Sequence, residues 1–167
     1  MPEKPVITVI GLGNELMTDD GLGVHAIRLF QQERLHDEVQ AIEVGAAVIH
    51  FQDMFEQSDI IIALDAICAG GTAGQMYCLD GEDALAGGIH SLHDLGIAGV
   101  CRLIPEARRP RLIILGAEPG LIDYGTALSP ALQAIIPQLV QAVKEVIQKL
   151  KNAVTRISID DLFSVRI

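Results

Sequence analysis

Cysteine is scarce: Cys68, Cys78 and Cys101 form no CxxC pair and are odd in number. That spacing supports neither a disulfide framework nor a closed zinc site, and buried reduced thiols are the expected state. No HExxH or GxSxG motif occurs, and no cysteine has a neighbouring histidine to mark it as a nucleophile. A self-sufficient zinc protease and a nucleophile-elbow serine hydrolase therefore lack their strongest marks. Long apolar runs are missing too. Half the residues are hydrophobic and the mean hydropathy is +0.37, yet the runs last five to seven residues before Gly, Asp or Pro interrupts them. None approaches a membrane span, so the apolar content belongs to buried strands and helix faces. Basic residues are outnumbered, 12 against 22 acidic, and the net charge of −10 repels polyphosphate backbones and anionic membranes. Only Arg102 to Arg111 is locally basic, and Pro105 and Pro110 mark it as a surface turn. The opening Met1-Pro2-Glu3-Lys4-Pro5 lacks a charged region followed by an apolar stretch and a cleavage site, which gives a cytoplasmic expectation.

What is present fits one domain of 167 residues, with no room for a second. Val6 to Ile10 is a β-branched run stopped by Gly11-Leu12-Gly13-Asn14, the pattern of a buried strand ending in a tight turn. A helix is expected next, with Thr18 as N-cap, Asp19 and Asp20 in its first turn, and Val24, Ile27 and Phe30 on one face, fading near His36. Val39 to Val44 predicts a second strand, Ala47 to Phe55 a short helix, and Asp59 to Leu64 a third strand ending at Asp65. Gln75 to Leu79 reads as a fourth strand and Arg111 to Leu115 as a fifth, halted at Gly116. A helix is expected to begin near His90-Ser91-Leu92-His93, and Pro130 to open a long final one. Residues 1–152 form the expected domain and 153–167 a peripheral tail.

Continuous apolar strands alternating with helices predict a three-layer α/β domain, a mostly parallel twisted sheet of about five strands covered on both faces. Ligands in such folds bind beyond the carboxyl ends of the strands. Asn14, Asp19, Asp20 and Asp65 all follow strand ends and are expected to collect there. Gly11-x-Gly13 invites a dinucleotide reading, with Glu43 in place of the ribose-binding acid. Leu16 stands where the third glycine belongs, however, and Asp19 and Asp20 would repel a pyrophosphate from the helix N-terminus. The same acids suit a divalent cation, and Asp65 could add a second carboxylate. Taken singly, Asp19 and Asp20 could merely cap a helix and Asp65 start a turn; their joint placement favours a site. His93 or His90 could contribute an imidazole.

At this point the chain resembles the hydrogenase maturation endopeptidases. The carriers are the segment from Gly11 through Asn14 and Asp19-Asp20 to Gly23, Ile61 to Ala66 with its Asp65, and His93-Asp94-Leu95-Gly96. Leu115-Gly116-Ala117-Glu118-Pro119 and Leu128-Ser129-Pro130 continue the match over roughly residues 6 to 150. The resemblance implies an endopeptidase that removes the C-terminal extension of a nickel-loaded precursor, the large subunit of a nickel–iron hydrogenase. Nickel then belongs to the substrate, with zinc or cadmium able to stand in for it in a crystal. By the same resemblance Asp20, Asp65 and His93, rather than His90, contact the metal. Asn14 and Asp19 lie beside the cleft, and Asp20, Asp65 and Asp19 are the catalytic candidates. Whether the metal activates water or polarises the scissile carbonyl, or whether Asp19 or Asp20 acts as general base, stays open at this level, as does the oligomeric state. The alternative is a non-catalytic, metal-dependent chaperone for the same immature subunit. One departure is plain: many members carry an Asp-Gly-Gly-Thr-like loop after the second strand, where this chain has Glu43-Val44-Gly45-Ala46-Ala47. It bears on which large subunit is processed and leaves the three metal contacts in place.

Overall fold

The β-branched run after Val6 forms β1 (Ile7–Leu12), buried at every position, as only a strand covered on both faces can be. A computed structural model describes residues 5–33, 39–86, 90–91, 94–153 and 158–162. The other elements are α1 (Leu22–Gln32), β2 (Val39–Gly45), α2 (Gln52–Gln57), β3 (Ile60–Cys68), β4 (Met76–Asp80) and α3 (Gly81–Leu85). They continue with β5 (His90–Ser91), α4 (Asp94–Leu103), β6 (Arg111–Ala117), α5 (Pro130–Asn152) and α6 (Ile159–Leu162).

The main sheet has the order β2-β1-β3-β6-β4, with β5 paired to β3 off that path. β1 runs parallel to β2 and β3, and β3 parallel to β6; β4 is antiparallel to β6. Alternate residues of each strand serve opposite faces. Val9, Ile62, Leu64, Ile113 and Leu115 pack beneath Leu22, Ile27 and Phe30 of α1 and Leu139, Val143 and Val146 of α5. Ile10, Ile61, Ala63, Leu112 and Ile114 turn the other way, onto Phe55 of α2 and Ile97 and Val100 of α4. This is the expected single three-layer α/β domain. No helix among the described residues is long and apolar enough to cross a membrane.

Several expectations need correction. Thr18 is not a helix N-cap: it begins a 3-10 turn, Thr18–Gly21, that precedes α1, and no side chain caps that turn. α1 ends at Gln32, and the expected fading toward His36 falls outside the described residues. β3 does not stop at Asp65 but continues to Cys68, because β6 extends the ladder on one side and β5 adds two pairs near the end. Gly116 likewise lies within β6 rather than ending it, pairing with Asp65. A Cβ there would collide with the Asp65 carbonyl, so glycine is what permits the pairing. His90 and Ser91 form β5, and the helix opens only at Asp94. α5 begins with Pro130 as expected and runs straight through Pro137. In the tail, Leu162 of α6 is 1% exposed and joins the core beneath α5, while Lys149 Nζ donates to the carbonyls of Asp161 and Leu162.

Candidate active site

The turn after β1 is built around two glycines. Gly13 has φ +119°, and a Cβ on it would collide with the carbonyl of Asp20. Gly45, which survives from the otherwise altered loop after β2, has φ +64° and accepts a hydrogen bond from Gly13 N at 3.2 Å. These left-handed or mirror-region conformations cost glycine little. Asn14 then folds the chain back on itself. Its carbonyl accepts from Met17 N, its side chain accepts from Leu16 N, and its own N–H donates to Asp20 Oδ2 at 3.0 Å. Asp20 is buried, and its carboxylate is thereby held against the strand end.

Asp65 is fully buried near the end of β3, with Oδ1 accepting from Ala66 N at 2.8 Å. Gly23, at the start of α1, is pressed so close to the carbonyls of Leu12 and Leu64 that a Cβ would clash with both. The helix therefore sits down on the carboxyl ends of β1 and β3 and brings Asp20 toward Asp65. Cys68 reports the same neighbourhood: burial pushes its thiol up, and the charges of Glu118, Asp65 and Asp20 push it further. The turn Thr18–Gly21, which carries Asp20, packs against β3, which carries Asp65.

Asp19 is fully buried and does different work. Its carboxylate accepts from Gly120 N, Leu121 N, Ser129 N and the Ser129 hydroxyl, at 2.6 to 2.9 Å. Burial raises its pKa, but the bonds from Ser129, Leu121 and Gly120 together outweigh that and hold the carboxyl below its ordinary value. Asp19 thus ties the loop between β6 and α5 to the acidic turn, and all this bonding leaves it positioned as a strut. Thr18 joins in at φ +46°, its hydroxyl donating to the Leu121 carbonyl and accepting from Asp123 N.

Glu118, just after β6, organises the far side. It accepts from Ala69 N, Gly70 N, Gly71 N and the Tyr77 hydroxyl, so a buried carboxylate holds the glycine-rich loop that follows β3. Burial raises its pKa, yet the bonds from Ala69, Tyr77, Gly71 and Gly70 bring the net value below the ordinary one. Burial and the nearby Glu118 push the Tyr77 hydroxyl up to about 12. Sequence reading assigned Glu118 no role of its own. The signal available was an acid at a strand end in a chain that also carries a loop rich in glycine N–H groups.

Asp20 lies in the turn that follows β1 and is held by Asn14, and Asp65 lies on β3, the strand against which that turn packs. His93 lies outside the described residues, and for His90 only its place in β5 is described, so neither imidazole enters this geometry. No group of three metal-binding side chains occurs among the described residues. Glu43, the acid a dinucleotide would need, has both oxygens engaged by Arg28, which also bonds Glu15. Burial pushes the Cys78 thiol up to about 12 and the Cys101 thiol upward as well, so both stay protonated and unreactive.

Comparison with known proteins agrees with this architecture. A family described as hydrogenase maturation protease matches residues 24–146. The hydrogenase 2 maturation protease of Escherichia coli K12 is 31% identical over 163 residues, covering 93% of this chain and 99% of its own length. Among solved structures, the hydrogenase maturating endopeptidase HybD from E. coli superposes with a TM-score of 0.79 at 28% identity, covering 86% of this chain and 92% of that one. The [NiFe] hydrogenase maturation protease HybD from Thermococcus kodakarensis gives 0.71 at 26% identity, covering 87% and 99%.

Proposed function

The chain belongs to the hydrogenase maturation protease family and is an endopeptidase of that family, and we propose that it removes the C-terminal extension of a nickel-loaded hydrogenase large-subunit precursor. The observation that carries this reading is a pair of buried carboxylates, Asp20 in the turn after β1 and Asp65 on β3, the strand that turn packs against. Two carboxylates held at one edge form a strong local attraction for a divalent cation. In this proposal the cation is the substrate's nickel, and His93 completes the protein's contribution. Three protein ligands leave coordination positions for groups of the precursor, so binding strengthens only when the precursor carries metal. Cleavage then becomes a checkpoint on metal insertion.

The same carboxylates can accept a proton from the attacking water, which places acid–base chemistry and metal contact at one location. Asp19 is assigned a supporting role because its oxygens already hold the β6–α5 loop.

The test is to incubate the protein with nickel-loaded and with metal-free precursor and to measure the precursor mass. Loss of a C-terminal peptide from the nickel-loaded form alone is expected. Equal trimming of both forms would remove nickel from the recognition step, and an unchanged mass in both would end the proposal.

A further inference from the structure

Four large apolar side chains stand in solvent beside this site: Leu16 is 61% exposed, Leu121 53%, Ile122 39% and Tyr124 89%. They lie on two segments laid side by side. Met17 bridges to Gly125, Gly125 N donates to the Leu16 carbonyl, and Thr18 N donates to the Gly125 carbonyl. Asp19 N and the Thr18 hydroxyl both donate to the Leu121 carbonyl. The Asp19 carboxylate fastens the same loop at Gly120, Leu121 and Ser129.

Exposed apolar residues scattered singly need no explanation, but several on two hydrogen-bonded segments form a patch that the fold keeps outside. The patch is also stiffened: its backbone is ordered before any partner arrives, which lowers the cost of binding. Tyrosine in such a position is a common anchor of protein recognition. Among the described residues the other strongly exposed large apolar side chains, Val6, Ile49 and Leu103, lie on different elements.

We propose that Leu16, Leu121, Ile122 and Tyr124 form the rim that grips an apolar segment of the precursor next to its metal-bearing end. The inference rests on the proposed function and adds the surface that holds the substrate chain. Its occupant follows from continuity. The rim is bonded directly to Thr18 and Asp19, and Asp20 is the next residue, so a polypeptide whose metal reaches Asp20 and Asp65 lies along this border. Exposed Asp123 beside Tyr124 adds a negative charge, which favours a basic residue flanking the apolar segment.

The experiment uses nickel-loaded precursor with the wild type, Tyr124→Ala, the double variant Leu121→Ala with Ile122→Ala, and Leu103→Ala as a remote control. Equilibrium binding, KM, kcat, thermal melting and sedimentation are measured. Both rim variants are expected to raise Kd and KM by about tenfold, with kcat within about twofold of wild type and unchanged melting, while Leu103→Ala matches the wild type. Wild-type Kd and KM in both rim variants would overturn the rim. So would a wild-type dimer that Tyr124→Ala dissolves while Kd and KM stay unchanged, since the patch would then belong to a second copy of the chain. If the wild type leaves the precursor mass unchanged, the proteolytic reading fails, and the Kd series still decides the rim: weakening in the variants supports it, and equal or absent binding overturns it.

Discussion

Asp20 and Asp65 divide from Asp19 by what their oxygens touch. Four short hydrogen bonds commit Asp19 to the β6–α5 loop, while Asp65 on β3 accepts from the N–H of Ala66. Asp65→Asn keeps an oxygen for Ala66 N and replaces a buried charge by an amide that is cheaper to bury. It is therefore expected to melt at or above the wild-type temperature. Processing of nickel-loaded precursor is expected to fall by on the order of 100-fold, as when one preorganised electrostatic partner is removed from a reaction centre. Mass measurement of the precursor over time, together with a melting curve, checks both halves. A folded variant with wild-type rates would take Asp65 out of the site. At this scale the acids were legible in sequence because they lie near the carboxyl ends of strands, but their separate duties were not. Adjacent residues Asp19 and Asp20 face different partners, and only the position of Ser129 and Gly120 reveals which of the two is the strut.

Among the elements, the β1–α1 turn makes the sharpest demand. Gly13 and Gly45 both have positive φ, yet their surroundings differ: a Cβ on Gly13 meets the Asp20 carbonyl, while one on Gly45 approaches only Gly13 O, at 3.6 Å. Gly45→Ala is expected to cost about 1 kcal/mol, the left-handed penalty alone. Gly13→Ala adds a backbone collision and is expected to cost at least about 3 kcal/mol and to displace Asp20, so processing is lost along with stability. Urea unfolding of the two variants separates these outcomes, and equal costs would contradict the account. α5 carries the opposite lesson. Pro137 lies inside the helix, exposed, and withholds an N–H from the Gln133 carbonyl four residues earlier. Pro137→Ala is expected to raise stability by roughly 1 to 2 kcal/mol, the restored bond and helix propensity being partly offset by a freer unfolded chain. Its processing rate should not change; a lower melting temperature would mean that the proline ring itself is needed for packing. The final helix was readable from its apolar spacing and from Pro130, since the heptad-like face continues on both sides of Pro137.

Across the whole molecule, two buried carboxylates brace different loops, Asp19 the one between β6 and α5 and Glu118 the one after β3, and both have folded pKa values below the ordinary ones. Between the folded and unfolded values the unfolded chain binds more protons, so stability rises with pH through that window. Their contribution is complete above the ordinary carboxylate range and is lost as pH falls through the folded values. Melting temperature is therefore expected to drop steeply below about pH 4, and Asp19→Asn and Glu118→Gln to flatten that dependence while lowering stability at neutral pH. A pH-melting series that is superimposable for all three proteins would refute the bracing role. The amino-acid sequence by itself determined the layer order, since a parallel sheet buried on both faces needs continuous β-branched runs, and such runs are local. It also determined which acids stand near strand ends, because glycine turns and strand termini are set by neighbours a few residues away. Tertiary structure alone decided where β3 stops, which acid is a strut, and that Glu118 holds the loop after β3. It also decided that Leu16 stands beside Tyr124. Each of those outcomes depends on partners between about 20 and 110 positions distant along the chain, which no local pattern encodes.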